Sequence, residues 1–377
     1  MAVLRVIVDN VLAPDPTGVN RYSVEITRGL IRTAPEDCAV VGVCAEHRPE
    51  ELDRLRELLP GLADLIVLPA SSAQLAFAWG TGMPPRMLPE GLTHSPTMLA
   101  PFTRHDHLRY SSEQVVATLH STALWTAPET LTRAEAIVFS RTIRRAERYA
   151  DALVVTNHSV ADAVERFTSF GSRLHLVPAA PTPHLVTGGA LKEKAREAGL
   201  PEDFLLMFAH GPAANLELSL AAYATSGAPL PLVIVGAQDR GQTPITELLD
   251  TFGLQPPRVL VLGVVDDSEL SVALTKATAL IELGTTDMVG LSLLDAQLAR
   301  TPVITSAGDA SAEITGGAAL TVPLDGTGAV GALADAIHRV STDSHLRSRL
   351  RQEGSDWVKE FSWGQSAHDI WTLQADI

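Results

Sequence analysis

Short apolar runs recur along this chain, each followed by a longer stretch in which apolar residues return at three- and four-residue steps. Runs that do not alternate with polar residues, rich in Val, Ile and Leu, suit strands buried on both faces, and the helical-period stretches supply the covers. In the first half the runs are LRVIVD (4–9), CAVVGVC (38–44), LIVLP (65–69), VVATLH (115–120), ALVVTN (152–157) and LHLVP (174–178). In the second half they are FLLMFA (204–209), LPLVIVG (230–236), VLVLG (259–263), ALIEL (279–283), PVITS (302–306) and ALTVP (319–323). This order predicts an α/β protein of two successive doubly wound, Rossmann-like units, each a mostly parallel sheet with helices on both faces.

Between the two sets, VPAAPTPHLVTGG (177–189) clusters prolines and glycines, as a linker does. The expected domains are 1–182 and 183–355. After Thr342 no further strand run appears, and residues 356–377 are expected to form a C-terminal helix, opened by FSW (361–363), that packs back on the first domain. A length of 377 residues suits two domains of ~100–200 residues each. No repeat of solenoid period occurs.

The formal charge of −15, with no basic run, argues against nucleic acid or an anionic membrane as partner. Cys38 and Cys44 are six residues apart in one strand-like run, about 20 Å at ~3.3 Å per residue, beyond disulfide reach. Two free thiols, no signal-like N-terminus and no apolar stretch long enough to span a bilayer together predict a cytoplasmic protein.

In open sheets of this type ligands bind beyond the carboxyl ends of the strands. After the first strand, PDPTGVNRYS holds only Gly18, so the dinucleotide fingerprint is missing and a dehydrogenase is a poor expectation. The stretch TTDMVGLSLLDAQLARTPVITS (285–306) is more informative. It follows the run ALIEL, and GLSLLDAQLAR opens a helix at Gly290 and Leu291, whose free N–H groups and dipole form an anion site fit for a diphosphate. Asp287 in the loop can accept hydrogen bonds from sugar hydroxyls, and Asp295 can accept two from a ribose diol. The alternative is an acid beside a positive helix end and a second acid on a solvated face. Neither His spacing nor paired carboxylates suggest a metal cage.

The order RVLVLGVVDDSELSVALTKATALIEL, DMVGLSLLDAQLARTPVITS and AEITGG resembles the C-terminal half of the retaining GT-B glycosyltransferases of family 4, glycosyl transferase group 1. There a Glu-x7-Glu motif occupies the places of Asp287 and Asp295, a G-x-P-V-I strand follows with Gly where this chain has Arg300, and a PE-x-x-G turn keeps the counterpart of Glu313. In the first half DPTGVNRYSVEITRGL (15–30) is similar to the family's GIGRY loop and helix, VVATLHSTALW to its HD segment, and YADALVVTNHSVADAV to its ADAVIVTS pair. Val19, Tyr22, Ile26 and Leu30 recur at helical steps and read as core-facing.

The resemblance implies a GT-B fold with two domains facing across a cleft. It also implies transfer of a hexose, with retention, from a nucleotide diphosphate sugar to a glycan, lipid or small-molecule acceptor. The nucleotide sugar is the donor substrate, and no separate cofactor or metal is implied. His120 and Asp287 are the catalytic candidates, and Gly18, Gly211, Asn215, Gly290, Leu291 and Asp295 the donor-binding ones.

Several positions depart from the family's pattern. FAHGPAANLELSL (208–220) has Ala213 and Ala214 where Arg and Lys normally neutralise the donor diphosphate, leaving Asn215, read as a helix cap. Losing one preorganised donor can cost ~10²–10³ in rate. Arg240 and His210 are possible replacements, and Ser121 stands in place of the Asp of HD. A catalytically degenerate shell, serving a partner glycosyltransferase, self-associating or binding a glycan, is therefore the alternative to an active enzyme. A sugar-nucleotide epimerase on the same fold is a third reading.

Overall fold

The computed structural model describes residues 2–12, 18–82, 88, 91–104, 113–183, 189–209, 215–236, 245–284, 289–324 and 326–377. The chain divides into two compact units, Met1–Ala180 together with Phe361–Ile377, and Pro181–Glu360. The first division falls two residues before the sequence boundary at 182, because Thr182 bonds to Asp295 of the second unit. The second falls five residues after the boundary at 355.

The first unit holds β1 (Ala2–Ile7), β2 (Cys38–Cys44), β3 (Asp64–Val67), β4 (Leu92–Ser95), β5 (Gln114–Leu119), β6 (Ala152–Val155) and β7 (Leu174–Leu176). Their order in the sheet is β3-β2-β1-β4-β5-β6-β7, with every described pairing parallel. The second unit holds β8 (Leu205–Phe208), β9 (Leu232–Val235), β10 (Val259–Gly263), β11 (Ala279–Glu282), β12 (Val303–Ser306) and β13 (Leu320–Val322), ordered β10-β9-β8-β11-β12-β13 and again parallel. Strand order reverses between β1 and β4 in one sheet and between β8 and β11 in the other. These are the positions where doubly wound sheets open a crevice at their carboxyl ends.

β4 is absent from the apolar runs in the sequence. Its residues Leu-Thr-His-Ser offer a single large apolar side chain, yet Thr93, His94 and Ser95 are buried at the centre of the sheet between β1 and β5. The flanking strands, and not the sequence of β4 itself, make this segment extended.

β5 shows how the strands build two cores. Val115, Ala117 and Leu119 face one way, into a cluster with Ile143, Ala146 and Phe170. By the two-residue alternation Val116, Thr118 and His120 face the other way, toward the helix Gly18–Arg32 and its buried Tyr22. Tyr22, Ile26 and Leu30 of that helix are fully buried and Val19 is half-buried, as the helical spacing predicts. The terminal helix Trp363–Asp376 packs on it: Trp371 Nε1 donates to Leu30 O at 3.1 Å, and the Trp363 carbonyl lies so near Gly29 that a Cβ there would stand 2.8 Å from it.

The core of the second unit gathers Leu205, Met207, Ile234, Ile281 and Ile304 from its strands with Leu220, Leu333 and Ile337 from its helices. Among the described residues no helix is long and apolar enough to cross a membrane, and both cysteines are free.

Candidate functional site

At the β8–β11 reversal of the second unit, the stem of the loop that follows β11 is held from two sides. Asn215 Nδ2 donates to Leu283 O at 3.1 Å from the β8 side, and the Ser306 hydroxyl at the end of β12 donates to Gly284 O. Ser306 is itself steadied by Ser311 at 3.2 Å. Asn215 thus does something other than cap: at the N-cap position its backbone is left-handed (φ 46°) and its side chain makes no capping bond. The expected cap is corrected: a capping residue is normally extended, whereas the left-handed backbone of Asn215 goes with a side chain that reaches the neighbouring strand end and makes no capping bond.

The loop returns at Gly290, the N-cap of the helix Leu291–Leu298. Its φ of 74° is a glycine conformation, and a Cβ would stand 2.7 Å from Ile314 Cδ1 and Cγ2, so glycine is required both by the turn and by the approach of the next helix. Leu291 is buried against the core, leaving the N–H groups of the first turn as the polar feature here. Four residues on, Asp295 is 1% exposed, which removes the solvated-face alternative. Its two carboxylate oxygens accept from the Thr182 N–H at 2.6 Å and the Thr182 hydroxyl at 3.1 Å. The acid read as a ribose ligand therefore also anchors the chain where it enters the second unit, a partner that no local pattern in the sequence signals.

The helix ends in a Schellman arrangement: Thr301 N–H donates to Ala296 O at 2.7 Å and Arg300 N–H to Gln297 O at 3.0 Å. Arg300 occupies the left-handed position with φ 60°. That conformation explains why glycine suits the position that Arg300 fills.

In the first unit His120 lies at the carboxyl end of β5, 7% exposed, with Nε2 against Pro96 O at 2.7 Å. A carbonyl only accepts, so Nε2 carries the proton and Nδ1 is a lone-pair acceptor. Nδ1 is buried and meets no hydrogen-bond partner among the described residues. Burial pulls the imidazole down to about 4, the Pro96 bond opposing this, so the ring is neutral at pH 7. The Tyr22 ring stands edge-on at 4.6 Å. Beside it His94, fully buried on β4, is lowered to about 3 by burial and by its neighbour His120. His94 is not legible in the sequence, because it lies in a strand without an apolar signature. Gly18 is the first residue of the helix Gly18–Arg32. Gly211 and Asp287, together with His210, Ala213, Ala214 and Arg240, lie outside the described residues. No cluster fit for a metal occurs among the described residues.

Two parallel-sheet, Rossmann-like units of this topology define a GT-B fold, as found in glycosyltransferases. Residues 191–357, most of the second unit, match the family model described as Glycosyl transferases group 1. Among solved structures, sucrose-phosphate synthase from Thermosynechococcus elongatus superposes with a TM-score of 0.72 at 19% identity, covering 100% of this chain and 99% of its own. Anabaena HepE in complex with UDP and glucose gives 0.74 at 14% identity, with 100% of both chains covered. WaaG, a glycosyltransferase involved in lipopolysaccharide biosynthesis, gives 0.64 at 14% identity and 98% of both. No curated protein matches the chain.

Proposed function

We propose that the chain is a cytoplasmic retaining glycosyltransferase that takes a hexose from a nucleotide diphosphate sugar bound by the second unit and passes it to a hydroxyl of a glycan, lipid or small molecule. The observation that carries this reading is the stem at the β8–β11 reversal, fixed by Asn215 and Ser306 and ending at Gly290, inside the segment that matches Glycosyl transferases group 1. The binding of UDP and glucose by HepE supports the donor class. No separate cofactor and no metal enter the proposal.

In this reading the donor diphosphate lies against the N–H groups that follow Gly290, which stabilise the charge growing on the departing phosphate. The bond from the sugar's anomeric carbon to the phosphate oxygen breaks. The acceptor oxygen bonds to that carbon on the same face, and the acceptor proton passes to the leaving phosphate. Asp287 is assigned to sugar hydroxyls. His120, neutral with its proton held on Nε2, is assigned to hydrogen-bond acceptance through Nδ1 and not to acid catalysis. Gly18, Gly211 and Asn215 belong to the donor-side turns. Asp295 is assigned to the ribose diol, which must then displace or share the bonds from Thr182.

A second reading is a degenerate shell that binds a glycan or a partner transferase without transfer. The engagement of both Asp295 oxygens by Thr182 favours it, as do Ala213 and Ala214 where the resemblance calls for cations. The test is release of nucleoside diphosphate and formation of glycoside when the purified chain meets UDP-, GDP- and ADP-sugars with a panel of acceptors. Turnover by the chain alone ends the shell reading. Donor binding without turnover on any acceptor supports it.

A further inference from the structure

The helix Arg133–Tyr149 carries five arginines against two glutamates in a chain whose net charge is −15. Its buried side, Ile143 and Ala146, faces the sheet. Opposite, at steps of four, four, three and four, stand Arg133, Ile137, Arg141, Arg144 and Arg148, all exposed and therefore in one stripe along the helix. Three of the most exposed large apolar side chains in the protein accompany this stripe: Ile137 at 44% within it, Val138 at 56% on its flank, and Phe77 at 58% on the neighbouring helix Ser72–Thr81. The flank holding Val138 is the one turned to that neighbour, since Thr142, one turn further on, lies 3.6 Å from the position of a Gly80 Cβ, and Arg145 donates to Thr81 O.

We propose that this face, formed by the helices Arg133–Tyr149 and Ser72–Thr81 of the first unit, is a docking surface for an anionic lipid bilayer. Arginines on one line are drawn to acidic headgroups, while Ile137, Val138 and Phe77 enter the interface between headgroups and acyl chains. Clustered basic side chains attract acidic headgroups, and exposed large apolar side chains beside them add burial at the boundary between headgroups and acyl chains. The apolar members decide between a bilayer and a soluble polyanion, which would leave them in water. The net charge of −15, which argued against any anionic membrane, hides the stripe because its arginines are spread over sixteen positions of sequence and gathered only by the helix. The inference is independent of the proposed reaction.

The test is flotation of the full chain with vesicles of neutral phosphatidylcholine and with vesicles containing phosphatidylglycerol, at low and high salt, and binding to heparin beside them. Wild type is expected to float with the anionic vesicles at low salt and to remain below with neutral ones. Arg141→Glu with Arg144→Glu should weaken the partition about tenfold or more. Ile137→Ser with Val138→Ser should weaken it as well, while Arg141→Lys with Arg144→Lys should retain it. All these side chains are exposed, and unchanged circular dichroism and thermal midpoints keep the comparison one of binding. Failure of wild type to float, flotation that the glutamate and serine variants leave unchanged, or heparin binding without vesicle binding would each overturn the proposal.

Discussion

Lowering the pH from 7 to 5 offers protons that the unfolded chain accepts and the folded first unit refuses. His94 and His120 titrate near 6.5 when unfolded, but burial lowers them to about 3 and about 4 in the fold. A depressed histidine stabilises the fold above its unfolded value, and that contribution is lost as pH falls from 6.5 toward the folded value. Each histidine then costs about 1.4 kcal/mol per pH unit. At pH 5 this amounts to roughly 2 kcal/mol apiece, or about 4 kcal/mol together, a large part of the ~5–15 kcal/mol that holds a domain. Four of the five tryptophans (Trp79, Trp125, Trp363 and Trp371) lie in the first unit, so intrinsic fluorescence during urea unfolding reports mainly on it. Between pH 7 and 5 the midpoint should fall steeply. His94→Leu, a swap of similar volume, should cost less than ~1.5 kcal/mol at pH 7 and halve the slope. A slope that survives both His94→Leu and His120→Leu would refute the assignment of acid sensitivity to this pair.

Other expectations are local to the second unit. Gly290→Ala meets both a left-handed φ and Ile314 at 2.7 Å, and should cost about 2 kcal/mol or more in its urea transition. Arg300→Gly relieves a left-handed arginine at the Schellman position and should stabilise by roughly 0.5–1 kcal/mol, read as a higher midpoint with unchanged m. Thr182→Val removes one of the two bonds that Thr182 makes to Asp295 and should cost about 1 kcal/mol, while donor affinity holds or improves if the ribose competes for the same oxygen.

The apolar runs made twelve of the thirteen described strands legible, because strands buried on both faces have to be continuously apolar. β4 escaped because a central strand held between β1 and β5 is extended by its neighbours, even where its own residues are Thr, His and Ser. For the site, the helix start at Gly290 was readable from the sequence that follows the β11 run. The side-chain links that hold it were not. Asn215 to Leu283, Ser306 to Gly284 and Thr182 to Asp295 all join residues distant in sequence, and each depends on strand order, which periodicity does not encode. The Asp295 contact matters most, since a carboxylate read as a ligand is also part of the scaffold.

The central claim is that the second unit binds a nucleotide diphosphate sugar. It is tested most directly by calorimetric titration of the purified protein with UDP-, GDP- and ADP-sugars and the free diphosphates, with Asp295→Asn beside the wild type. Micromolar binding confined to one base, weakened about tenfold or more in a variant whose thermal midpoint shows it folded, is the predicted result. Absence of binding to every nucleotide by a well-folded sample would contradict it.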